Sequence, residues 1–356
     1  MAPTTDAPKV FTTFACGGGS SMGYKLAGFD VVGANDIDPK MASVYKDNLD
    51  PKYFFETPIG ELVDLVQAGD FPDELLGIDI LDGSPPCSTF SLSGNREKDW
   101  GVDKVFREGQ AKQILSDLFF DYLELVRVIQ PKVFVAENVA AMLFGNAKGY
   151  VRQIVRTAKE YGYCVQVFKL NASSFGIPQS RTRIFFVGRR MDRAMGSLVI
   201  RAPKQITKLT LRDAFRGLVQ SQESLDTCML NPSTQKYKHW HAAKRGEQFL
   251  KTRKRLGLSY SHFNMYRCSW NRESPCLTTS PVLFHPDEPR CFTDKELYRI
   301  SSFPDDYKST KLKGNKGKTI AQYLTGMSVP PRLMEFIASA IGRQWFDMTG
   351  DHNGKH

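Results

Sequence analysis

Val10-Phe-Thr-Thr-Phe-Ala15-Cys-Gly-Gly-Gly19-Ser-Ser-Met-Gly23 is a short apolar run that breaks into a glycine cluster. The run predicts a buried strand ending near Ala15. The glycines let backbone approach a ligand closely, with a helix N-terminus behind them; that helix is predicted through Ala27. Phe29-Asp-Val-Val-Gly-Ala34 predicts a second strand, closed by Asn35-Asp36-Ile37-Asp38, and residues 39–49 predict a further helix. The first 38 residues thus form one β-loop-α-β unit.

The same alternation continues outward. Strands are predicted at Ile78–Leu81, Lys132–Ala136, Val165–Leu170 and Ile184–Val187, and helices at Ile114–Ile129 and Val151–Tyr161. Strands alternating with helices imply the α/β class, with a doubly wound, mostly parallel, Rossmann-like sheet. After Gly188 the βα rhythm stops. Order returns at Pro331–Ile341, an amphipathic helix that can pack onto the first domain. The expected organisation is a catalytic and cofactor-binding domain over 1–188 plus 318–346, a smaller basic domain over 189–317, and a tail over 347–356. Residues 1–8 also read as a tail. The sequence shows no internal repeat.

Charge is concentrated in the second domain. Arg189–Asn271 holds 17 Lys or Arg against 5 Asp or Glu, a surplus larger than the whole chain's +10. A basic segment on a near-neutral body points to a polyanion, nucleic acid above all. Tyr237, Trp240, His241, Phe249, Tyr260, Phe263, Tyr266 and Trp270 are interleaved with these charges, and that mix serves either base stacking or a small aromatic core. The seven cysteines are scattered, with no CxxC pair, which argues for a reducing compartment and against a disulfide framework or zinc site. No stretch approaches the roughly 18 apolar residues of a membrane span, and the N-terminus lacks a signal pattern. A cytoplasmic protein with no membrane partner and no metal is expected.

Two segments carry chemistry. Gly17 and Gly19 do not complete a G-x-G-x-x-G pattern, because position 22 is methionine, and this argues against a nicotinamide cofactor. Asp36 closes the second strand 17 residues beyond Gly19, the place for a carboxylate that accepts ribose hydroxyls, and Ile37 can cover an adenine face. Read singly, the glycines are a tight turn and Asp36 a helix cap; together they favour an adenosine-containing cofactor. In Asp79-Ile-Leu-Asp-Gly-Ser-Pro-Pro-Cys87, two prolines stop a strand and set a thiol on a stiff turn at its carboxyl end, where open α/β sheets bind ligands. A buried structural thiol is the competing reading.

These residues resemble, in order and nearly end to end, the motifs of the cytosine-C5 DNA methyltransferases of bacterial or phage restriction-modification type. Phe14-Ala-Cys-Gly-Gly-Gly19 with Gly23 resembles the cofactor loop, and Asp36-Ile37 the ribose and adenine pair. Pro86-Cys87 resembles the nucleophile motif, and Leu118-Phe-Phe-Asp121 opens the helix placed beside the cofactor. Glu137-Asn138-Val139 and Gln179-Ser-Arg181-Thr-Arg183 match two further motifs, the latter preceded by Asn171-Ala172 and Phe175-Gly-Ile-Pro178. Arg272-Glu-Ser-Pro275 resembles the motif that orients the target-recognition domain, and Gly326-Met-Ser-Val-Pro-Pro331 the closing motif.

The resemblance implies S-adenosyl-L-methionine as cofactor, S-adenosyl-L-homocysteine as product and double-stranded DNA as partner. It implies catalytic roles for Cys87, Glu137, Arg181 and Arg183, and cofactor contacts from Phe14, Ala15, Cys16, Gly17, Gly19, Asp36, Ile37, Pro86, Leu118, Ser328 and Val329. Ser88–Gln113 is expected to close over the site, with Ser91, Arg96, Lys98 and Arg107 on DNA; Lys236, Lys238, Arg245 and Arg253 are the candidate DNA contacts of the basic domain. A monomer is expected, with a cognate restriction endonuclease as a partner. Three positions depart from the family: Cys16 and Met327 stand where glycine and asparagine are usual, and Ser88 where glutamine is common. The rival readings are a tRNA cytosine-C5 methyltransferase of the same family, a catalytically silent DNA-binding regulator and a nicotinamide-dependent oxidoreductase. The tRNA enzymes' Cys-Phe-Thr signature lies ahead of the Arg-x-x-Pro region, whereas Cys291-Phe292-Thr293 lies after Arg272.

Overall fold

The computed structural model describes residues 7–86, 103–104, 113–114, 118–145, 147–203, 207–257, 265–309 and 319–348. The chain divides into two compact units: Met1–Leu170 with Thr182–Arg201 and Leu333–His356, and Asn171–Arg181 with Ala202–Arg332. These bounds differ from the sequence expectation of a break at 189 and a return at 318. The strand containing Gly188 runs on to Arg190, with Arg189 in register with Val133, so the chain stays in the first unit past that point. Gln179–Ser180 pairs instead with Ser274–Pro275 of the second unit.

The first unit is built on a seven-stranded sheet. Its strands are β1 (Lys9–Thr13), β2 (Asp30–Asn35), β3 (Tyr53–Phe55), β4 (Ile80–Gly83), β5 (Val133–Val139), β6 (Tyr163–Asn171) and β7 (Thr182–Arg190), in the order β3-β2-β1-β4-β5-β7-β6. Pairing from β3 through β5 is parallel; β7 runs antiparallel to β5. The strands read as unbroken apolar runs, such as Val133-Phe-Val-Ala136, because helices cover both faces. The helices of this unit include α1 (Gly19–Leu26), α2 (Pro39–Leu49), α3 (Ile59–Ala68), α4 (Leu118–Ile129) and α5 (Ala147–Glu160), besides Asp73–Leu76 and most of the expected C-terminal helix, Pro331–Trp345. One core cluster joins Phe11 and Leu81 of the sheet to Leu62 of α3, Leu123 and Val126 of α4 and Ile154 of α5. Gly188 is required by its cross-strand neighbour: a Cβ there would lie 2.0 Å from the Phe134 ring.

α2 matches its expected bounds, with the Asp38 carboxylate accepting from the Lys40 N–H as N-cap and Pro39 in the first turn. The helix expected from Ile114 begins at Leu118 instead. Gln113–Ile114 pairs antiparallel with Asp103–Lys104, inside the stretch read as a closing loop. The chain also returns at its end: the Met348 N–H donates to the Gly342 carbonyl at 3.1 Å, while the rest of the expected tail over 347–356 and residues 1–6 lie outside the described residues, apart from Asp347.

The second unit has short elements. A small sheet joins β8 (Glu247–Gln248), β9 (Tyr266–Arg267) and β10 (Leu283–Phe284). Around it lie α6 (Gln235–Ala242), α7 (Phe249–Leu256), α8 (Asp294–Ile300) and α9 (Ala321–Met327). Trp240, Ala243, Phe249 and Phe284 form one apolar cluster of this unit, with the Phe249 and Phe284 rings stacked 5.2 Å apart. The core reading of the interleaved aromatics therefore holds for Trp240 and Phe249; Tyr260 and Phe263 lie outside the described residues. Thr293 of the Cys-Phe-Thr triplet forms a capping box with Glu296 at the start of α8, and Phe292 is buried.

Candidate active site

Parallel strands place their carboxyl ends along one edge, and the candidate residues of the first unit gather there. The loop after β1 bends sharply. Phe14 and Cys16 both have φ of 49° and Gly18 has 91°. Left-handed backbone at two non-glycine residues costs on the order of 1–3 kcal/mol each and must be held by its surroundings. The Ala15 N–H donates to the Asn35 carbonyl at 3.0 Å, and the Cys16 N–H to Asp36 Oδ2 at 2.6 Å. The loop is thereby tied to the end of β2. Cys16, at the family's glycine position, is accommodated in this bend, with its Sγ 3.3 Å from Met41 Sδ.

Asp36 does more than the sequence suggests. Its Oδ1 accepts from the Asp38 N–H at 2.8 Å, so each carboxylate oxygen already holds backbone, and the helix cap is Asp38. A carboxylate accepts only, which is the type of group that receives ligand hydroxyls. Ile37 beside it is half-buried. No side chain caps the N-terminus of α1 and no acid lies in its first turn, so its amides suit an anionic group such as a cofactor carboxylate. This donor and acceptor set fits S-adenosylmethionine.

The β4 end approaches from the next strand. A Cβ at Gly83 would lie 2.6 Å from Thr13 Oγ1 and from the Tyr122 ring, so only glycine lets the chain leave the sheet there. Asn138 Nδ2 donates to the Pro85 carbonyl at 3.0 Å, fixing the segment that leads to Pro86. Pro86 is half-buried and is the last described residue before Cys87. Cys87, Ser91, Arg96, Lys98 and Arg107 lie outside the described residues.

Glu137 and Arg183 are brought together by sheet register. Arg183 of β7 stands opposite Val139, two residues past Glu137 on the same face of β5. Arg183 Nε lies 3.0 Å from Glu137 Oε1, with the two side chains 16% and 9% exposed. An acid and a cation paired in so dry a place can stabilise charge on a flat, polar ring. Leu118, at the start of α4, is buried.

One acid at this edge was missed by the sequence reading. Asp82 of β4 is 2% exposed, and its Oδ2 accepts from the Ser20 hydroxyl at 2.6 Å. Burial pushes its carboxyl up to about 7, and Glu137 adds to the effect. Its only signal was its place in a short strand that is buried on both faces.

In the second unit, Arg181 meets backbone carbonyls. It is 1% exposed; Nη1 donates to the Gly326 carbonyl at 2.9 Å and Nη2 to the Met327 carbonyl at 3.2 Å. It braces the backbone that leads into Ser328, as a buried guanidinium must find acceptors. Ser328 Oγ is buried without a hydrogen-bond partner among the described residues, and Val329 beside it is buried. Met327, at the family's asparagine position, turns its side chain outward, 42% exposed. Of the candidate DNA contacts, Lys238 and Arg245 are exposed and Lys236 and Arg253 half-buried. Arg245 is paired with Asp287 at 2.5 Å. Lys251 and Lys254 of α7 are exposed as well and were not singled out by the sequence. Among the described residues, no cluster of side chains could hold a metal ion and no helix is long and apolar enough to cross a membrane.

The sheet order and the loop-and-carboxylate edge define a Rossmann-like, S-adenosylmethionine-dependent methyltransferase. The family model for C-5 cytosine-specific DNA methylase matches residues 9–343, and the chain belongs to that family. It is 30% identical to the type II methyltransferase M1.HphI of Haemophilus parahaemolyticus, over 92% of this chain and 85% of that one. It is 29% identical to M.NgoPII of Neisseria gonorrhoeae, over 96% and 97%. Among solved structures, the S. pombe Dnmt2 methyltransferase shares the fold with a TM-score of 0.63 at 17% identity, covering 95% of this chain and 98% of that one.

Proposed function

We propose that the protein methylates C5 of a cytosine flipped out of a specific duplex DNA sequence, through a covalent bond between Cys87 Sγ and ring C6. C5 of cytosine is a poor nucleophile. Thiolate addition at C6 makes the ring an enamine, whose C5 can accept a methyl group. S-adenosylmethionine, when bound, supplies that methyl as an electrophile. Electron density moves onto N3 and O2 during addition; Glu137 protonates N3 and Arg183 holds O2. Loss of the C5 proton and departure of Cys87 leave 5-methylcytosine. The target cannot react within the base stack, so it is extruded first.

The loop at 14–19, Asp36 and Ile37 hold the cofactor. Ser91, Arg96, Lys98 and Arg107 engage DNA from the 88–113 stretch, and Lys236, Lys238, Arg245 and Arg253 from the second unit. A monomer paired with a restriction endonuclease of the same specificity belongs to this reading. The observation that carries it is the buried Glu137–Arg183 pair, on the strand whose Asn138 fixes Pro85, two residues before Cys87.

Duplex DNA carrying 5-fluorocytosine tests it, because fluorine at C5 blocks the final elimination. The expected result is a complex that survives denaturation, requires S-adenosylmethionine and is absent with Cys87→Ser. Methyl transfer by Cys87→Ser, or a preference for tRNA over duplex DNA, overturns the reading. Bisulfite sequencing of DNA from expressing cells identifies the sequence context.

A further inference from the structure

A carboxyl group that the proposed reaction does not use lies beneath the cofactor loop. Besides the Ser20 hydroxyl, Asp82 accepts from the Tyr24 hydroxyl, at 3.3 Å on Oδ1. Ser20 is the second residue of α1, so Asp82 grips the first turn of the helix that follows the loop. On its other side, Asp82 is in parallel register with Val135. Glu137 lies two residues further along β5 and so shares that face of the sheet. The groups that act on the Asp82 charge are Ser20 and Tyr24 of α1 and Glu137 of β5. Tyr45 of α2 and Tyr122 of α4 feel that charge in turn, and burial pushes both hydroxyls up.

We propose that Asp82 is a positioning residue for methyl transfer: its carboxyl sets the first turn of α1 under the cofactor loop, and its charge opposes ionisation of Glu137. This rests on the reading of Glu137 as the acid at N3. Two carboxyls in one poorly solvated space resist ionising together. Glu137 also faces the Arg183 guanidinium of β7 at 3.0 Å, which favours its charged form; at alkaline pH a charged Asp82 works against that pull. The Ser20 bond has a second role. It acts on the helix end under the cofactor loop and so affects cofactor binding, besides favouring the charged form of Asp82.

The test is the pH dependence of kcat and of KM for S-adenosylmethionine, on unmethylated duplex DNA that the wild-type enzyme modifies. Asp82→Asn keeps the shape and the hydroxyl acceptor but removes the charge. Its alkaline limb in kcat is expected to move down by roughly one pH unit. Ser20→Ala is expected to raise KM for S-adenosylmethionine about fivefold. An Asp82→Asn profile that coincides with wild type, while Glu137→Gln removes the limb, overturns the charge role alone. An unchanged KM in Ser20→Ala overturns the positioning role, and does so even if Asp82→Asn does not fold. Full activity of Glu137→Gln overturns the underlying reading of Glu137 instead.

Discussion

Asp82 in the first unit and Glu296 in the second are both buried acids, 2% and 1% exposed, and they are handled in opposite ways. Glu296 receives two guanidinium bonds from Arg290, at 2.7 and 2.8 Å, and also accepts from the Thr293 N–H that starts α8. Asp82 receives hydroxyls. In the second unit, where elements are short and the apolar core small, charge is matched with charge to hold loops in place. In the first, a large apolar core already holds the sheet, and an acid can be left without a guanidinium near the reacting edge. Basic residues pair with acids in both units; in the second, Arg245, Arg255 and Arg290 do so. Its raw charge surplus therefore overstates what it can offer to a polyanion.

The largest expected effect breaks the first unit's chemistry and leaves its fold intact. Cys87→Ser is expected to lower methyl incorporation by on the order of a thousandfold or more, with an unchanged melting temperature, in a labelled-methyl assay. In the second unit the corresponding damage is structural. Arg290→Ala leaves Glu296 buried without its guanidinium, and denaturant unfolding is expected to show a loss of about 3–5 kcal/mol. His285 responds in the same variant. Burial and Arg290 hold its imidazole down to about 4, so removing that cation raises its proton affinity, which nuclear magnetic resonance titration can follow.

The contrast between the two acids is sharpened by pH. Asp82 keeps its proton to about 7 in the folded chain, against 3.8 for an ordinary aspartate. The folded state thus binds the proton more tightly, and its contribution to stability is full below about 4 and lost as pH rises to about 7. Asp82→Asn is expected to remove this decline, on the order of 2–4 kcal/mol, in unfolding curves recorded across that range. The smallest effect belongs to single surface cations. Lys238→Ala is expected to weaken duplex binding by less than about 1 kcal/mol and to lower the salt slope by about one, with kcat unchanged.

Much of the first unit was legible because its signals are local. The run from Val10 to Asn35 needs only a strand pattern, a glycine break and a second strand, and α2 needs only a cap followed by proline. β3 and α3 carried no motif and went unread between Asp50 and Gly77. The start of α4 moved from Ile114 to Leu118 because Gln113–Ile114 found a strand partner at Asp103–Lys104, a choice that helical spacing cannot reveal. The motif residues Cys87, Glu137 and Arg183 could be named from their neighbours in the chain, since each chemical type recurs in a short fixed context.

By itself, then, the sequence determined the α/β class, the glycine loop with its Asp36 and the residue types of the proposed reaction, because strand, turn and motif patterns are written within about ten residues. Only the tertiary structure decided which distant groups meet. It paired Arg183 with Glu137 through antiparallel register, turned Arg181 to carbonyls 145 and 146 residues away, and set Asp82 against Ser20, 62 residues earlier. Such contacts depend on sheet order and on how closely backbones approach, and neither is encoded in any one segment of the chain.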